Sequence, residues 1–119
     1  MATFNKQVLS ASTNGRPIQV SATASPGTTI HTASTTTTDF DEIWLYANNT
    51  STSDVKLTVE WGGTTTPTDH IELTVPAESG LVVVVPGLVL KGNATALVVR
   101  AFAGTGAVIN ITGYVNRIS

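Results

Sequence analysis

No cysteine occurs among the 119 residues of this chain, so neither a disulfide nor a thiolate metal site can hold its fold. Charge is scarce as well. Six Lys and Arg against eight Asp and Glu make up 12% of the chain, with a net charge of -2. That balance offers no basic footprint for nucleic acid or for an anionic lipid surface. No apolar run approaches the length that crosses a bilayer, and Met1-Ala2-Thr3-Phe4-Asn5-Lys6 lacks the apolar core of an export signal. The Gly-x-Ser-x-Gly elbow, the P-loop and HExxH are missing too. The resulting expectation is a soluble chain with no catalytic residues, no cofactor and no metal, which binds neither nucleic acid nor membrane.

What is present is threonine, 21 of 119 residues, with abundant Ser, Ala and Gly. A free monomer usually keeps itself soluble with Lys and Glu. A low-charge surface rich in Thr and Ala suits a protein whose faces are covered by neighbouring copies. It also suits a viral or secreted β-protein with a neutral surface. The length favours a single domain over residues 1–119, large enough to bury about two-thirds of its unfolded surface.

Residues 1–40 differ from the rest. Turn signals at Asn14-Gly15 and Ser25-Pro26-Gly27 separate three short strand candidates at Lys6 to Ala11, Pro17 to Ala22 and Thr28 to Ala33. Asn14-Gly15 suits a hairpin between the first two, and Pro17 marks the second as an edge strand. The segment reads equally as part of one sandwich or as an extended N-terminal arm on a partner.

From Asp41 onward the pattern strengthens. Glu42 to Asn49 is apolar on both faces, with Ile43, Leu45 and Ala47 opposed by Trp44 and Tyr46, so its second face is expected to be covered. Val55 to Trp61 alternates, with Val55, Leu57, Val59 and Trp61 inward and Lys56, Thr58 and Glu60 outward. His70 to Val75 alternates likewise. Leu81 to Val85 is an unbroken apolar run that Pro86-Gly87 is expected to end, leaving Leu88 to Leu90 as a link. Thr95 to Ala103 and Ala107 to Ile118 complete the series. Short β-branched strands interrupted about every ten residues predict an all-β, antiparallel β-sandwich, jelly-roll or immunoglobulin-like.

The stock for acid–base or metal chemistry is small. Asp69-His70 is the only adjacent pair, and neighbours on a strand point to opposite faces. His31 and His70 read as ordinary surface histidines. Asp39, Asp41 and Glu42 read as a solvated strand entrance, although loop carboxylates of this kind sometimes hold calcium. The aromatic residues Trp44, Tyr46, Trp61, Phe102 and Tyr114 read as core or subunit interface, with a sugar-stacking platform as the alternative. Phe102 shares its face with Arg100, as in an Arg packed on an aromatic at an interface.

The C-terminal two-thirds resembles small β-sandwich virion proteins of tailed bacteriophages. The residues carrying the resemblance are Asp41 to Asn49 followed by Val55 to Trp61, the turns Val75-Pro76-Ala77-Glu78-Ser79-Gly80 and Pro86 to Asn93, and the closing strands Leu97 to Ala103 and Val108 to Ile118. The resemblance implies a capsid decoration (cement) protein located on the virion. It implies partners in further copies of the chain, as a homotrimer, and in the major capsid protein of a phage. Trp44, Tyr46, Val83, Arg100 and Phe102 are the interface candidates, and a charge at Val83 is expected to abolish folding or assembly. A tail, neck or head-fibre module binding host glycans is the alternative.

Overall fold

The computed structural model describes residues 2–119, all of whose regular elements are strands. In chain order these are β1 (Phe4–Val8), β2 (Ile18–Val20), β3 (Thr28–Thr32), β4 (Phe40–Asn49), β5 (Val55–Trp61), β6 (His70–Val75), β7 (Val82–Lys91), β8 (Val98–Ala103) and β9 (Ile109–Ile118). They form two antiparallel sheets packed face to face. Sheet A runs β1-β9-β4-β7, with β2 also on β9, and sheet B runs β3-β8-β5-β6. The pairings nest: β5 with β6, β4 with β7, β3 with β8 and β2 with β9.

The alternation read from the sequence builds the core. Ile43, Leu45 and Ala47 of β4, with Ile109, Ile111 and Val115 of β9, face Leu57 and Val59 of β5 and Val99 and Ala101 of β8, all fully buried. Antiparallel strands with one face on a core give this period of two. Trp61 packs partly buried against the same core.

Several local expectations are corrected. β1 and β2 do not pair with each other across Asn14-Gly15. Both pair with β9, β1 along Tyr114 to Ile118 and β2 along Ile109 to Ile111, end to end on one edge. Residues 4–40 thus supply β1 and β2 to one sheet and β3 to the other. Pro86-Gly87 does not end β7. The strand continues to Lys91 through two register shifts, because a proline on a sheet edge forfeits no ladder hydrogen bond and a bulge absorbs the extra residue. Gly87 adopts φ +83°, and a Cβ there would lie 2.8 Å from the Trp44 ring. Gly113 permits the closest approach in sheet A, since a Cβ would run into the Trp44 carbonyl oxygen.

Candidate functional site

The outward face of sheet A is built by strand alternation. Opposite the buried Ile43, Leu45 and Ala47, β4 turns Phe40, Glu42, Trp44 and Tyr46 away from the core. In register beside them, β9 presents Ile118, Asn116, Tyr114 and Thr112. β1 adds Phe4, Lys6 and Val8 against Ile118, Asn116 and Tyr114. β7 adds Val83 and Val89 opposite Tyr46 and Glu42. Phe4 is 70% exposed and Val83 53%. Among the described residues the charges on this face are Lys6, Glu42 and, at the β7 edge, Lys91.

Its centre is held rigid. The Trp44 and Tyr114 rings stack at 6.0 Å with planes 13° apart, and the Lys6 ammonium lies 4.9 Å from the Tyr114 ring centroid. The indole N–H of Trp44 donates to Glu42 Oε1 at 2.8 Å, and Asn116 Nδ2 donates to the same oxygen at 3.0 Å. These donors, Trp44 first, hold the Glu42 carboxyl below its ordinary range. The arrangement is a flat aromatic platform. Three of the five sequence candidates, Trp44, Tyr46 and Val83, meet on it. Val83 is not core: Val84 and Val85 are buried, while Val83 points outward. Phe4, Lys6, Phe40 and Asn116 were not anticipated here; the outward series Phe40, Glu42, Trp44 and Tyr46 carried a signal for Phe40 alone.

The other two candidates, Arg100 and Phe102, lie on the outward face of sheet B, beside Glu60 and Thr58 of β5. The aromatic neighbour of Phe102 is His70, edge-on at 5.7 Å. A cavity of about 350 Å³ opens here, lined by Thr23, Lys56, Thr58, His70, Glu72 and Phe102 among others. Lys56 and Glu72 form an exposed ion pair at 2.5 Å across its rim, which lowers the Glu72 pKa. Glu60, on the outward face as the alternation implies, is nonetheless fully buried, because the β2–β3 loop folds over it. Ser25 Oγ and the Gly27 amide each donate to its carboxylate at 2.6 Å. His70 is not a simple surface residue either: its Nε2 is buried without a hydrogen-bond partner among the described residues, 4.0 Å from Glu60 Oε2.

His31 and Asp41 are a second correction. Neither is at the surface; they meet between the sheets. His31 Nδ1 accepts from the Ser10 amide at 3.1 Å, so the ring proton sits on Nε2 and is donated to Asp41 Oδ2 at 2.8 Å. Arg117 donates to both oxygens of Asp41, from Nε at 2.7 Å and Nη2 at 2.8 Å. Burial raises the Asp41 pKa, but the hydrogen bonds from Arg117 and His31 outweigh it and hold the group at about 2. With both carboxylate oxygens engaged by three donors, this buried cluster ties β3 to β4 and β9. Among the described residues no three His, Asp or Glu converge as metal ligands. No protein-family model matches this chain, and no curated protein matches it.

Proposed function

We propose that the sandwich is a jelly roll and that the chain is a virion structural protein, decorating and cementing the head of a tailed phage. The nested pairing supports the first part, since a long antiparallel hairpin rolled over itself brings β2 to β9 and β3 to β8. Rolls of this kind recur in viral coat domains and in lectins. The observation that carries the second part is the outward face of sheet A. Its aromatic and aliphatic side chains are pinned in place yet uncovered in the single chain. Uncovered apolar faces of this extent mark contact surfaces. On this reading the platform and Val83 supply contacts to further copies and to the coat protein. The test mixes the purified chain with empty heads of the phage that carries it. Stoichiometric co-sedimentation, lost in Trp44→Ala, is expected. Heads that pellet without the protein overturn the proposal.

One observation favours a second reading, a host-glycan module of a tail, neck or head fibre. The sheet B cavity sets the Phe102 ring beside threonine hydroxyls and a Lys–Glu pair, the chemistry that receives a pyranose ring. A glycan-array signal abolished by Phe102→Ala supports it, and a blank array removes it.

A further inference from the structure

The outward face of sheet A is self-complementary about strand β9. The register places Phe4 and Phe40 on either side of Ile118, Lys6 and Glu42 on either side of Asn116, and Val8 and Trp44 on either side of Tyr114. β1 and β4 both run antiparallel to β9, so the two flanks descend along it in step. Rotate a second copy by 180° about an axis lying in the interface along β9. Each residue of β1 then faces its counterpart on β4. Phe4 meets Phe40, the Lys6 ammonium meets the Glu42 carboxylate twice over, and the small Val8 meets the large Trp44.

We propose that this face binds a second copy of the same chain in a two-fold, isologous pair, with the β9 strands stacked and parallel. The proposal rests on the contact-surface reading above and names the partner of that face. Three arguments favour a second copy over any other occupant. First, among the described residues Lys6 has no carboxylate partner, and the two bonds to Glu42 both fall on Oε1, leaving Oε2 to accept. Second, the cation and the anion flank the axis, so the symmetry that stacks apolar on apolar also pairs unlike charges. Third, the area suffices. Three strand positions about 14 Å across and ten residues about 34 Å long give on the order of 1,000 Å² for the pair before side-chain relief is counted, the threshold that a biological interface clears. The resemblance implies three copies; the symmetry of this face favours two.

Sedimentation equilibrium measures the assembly directly, and a mass of about twice 12.3 kDa is expected. Lys6→Glu should weaken the pair about tenfold, and adding Glu42→Lys in the same chain should recover most of that loss, because each swapped charge again meets its opposite. Because the chain has no cysteine, single replacements report proximity. Thr112→Cys, on the axis, should cross-link copy to copy with a bis-maleimide spanning about 10 Å, the spacing of stacked sheets. Thr74→Cys, on sheet B, should not. A single-chain mass at high concentration, a trimer, or cross-linking through Thr74 but not Thr112 overturns the pairing. A monomer that still coats empty heads defeats the pairing alone. A two-fold dimer that ignores them defeats the decoration reading alone.

Discussion

Asp41 receives a bidentate guanidinium and an imidazole N–H inside the sandwich, so its ionised form is stabilised by folding. Its pKa falls from 3.8 to about 2. A depressed folded-state pKa adds stability above about pH 4 and loses it as the pH falls through 2, here about 2 kcal/mol. Urea titrations at pH 4 and pH 2 should show that loss in the parent and a smaller one in Asp41→Asn. At neutral pH the variant should be about 3 kcal/mol less stable, since it strands the Arg117 cation. Equal pH slopes in the two proteins would show that Asp41 is not the titrating group. Gly113→Ala should cost about 3 kcal/mol, read from the denaturation midpoint, because the added methyl meets the Trp44 carbonyl with no room to move. Neither His31 nor Asp41 announced its burial in the sequence. They are ten residues apart on strands of different sheets, and Arg117 lies 76 residues from Asp41. Only the fold brings them together.

At the scale of the element, β5 and β6 begin and end where alternation placed them, because a strand with one buried face writes its register into side-chain polarity. β7 resisted the same logic. It bulges twice and carries Pro86 on an open edge, so five consecutive apolar residues do not share one environment. The difference is measurable. Val85→Asp, a charge in the core, should prevent folding, whereas Val83→Asp should leave dilute-protein stability within about 0.5 kcal/mol of the parent and act only on association. The β2–β3 loop illustrates a second limit, since no periodicity foretold that residues 25–27 would close over Glu60. Glu60→Ala should release them, with faster hydrogen exchange at the Gly27 amide and a loss of about 1–3 kcal/mol. Unchanged exchange at that amide would mean that the carboxylate does not hold the loop.

For the molecule as a whole, scarcity of charge and one uncovered apolar face lead to the same behaviour. A partner that binds only the folded chain raises apparent stability by mass action, so the melting temperature should climb with protein concentration. Lys6→Glu should flatten that dependence without changing the melting temperature at high dilution. A concentration-independent melt in the parent would place the molecule alone in solution. The two-layer β architecture was legible because hydrophobic alternation and turns at regular intervals leave few other solutions. The outward apolar face was legible in part. Trp44 and Tyr46 stood out as apolar residues on the wrong side of a buried strand. Phe4 and Lys6 did not, because β1 earns its place on that face only through a pairing 110 residues distant in the chain.

The nesting of strand pairs also sets the order in which the polypeptide can acquire structure. β5 and β6 are joined by eight residues and can zip early, whereas β1 and β2 leave the ribosome ahead of the other strands yet must wait for residues 109–118 to be made. Such distant closures are slow and favour folding on the millisecond-to-second scale. During translation the flank that completes sheet A is therefore the last to dock, and the aromatic platform takes shape only once synthesis of β9 is over.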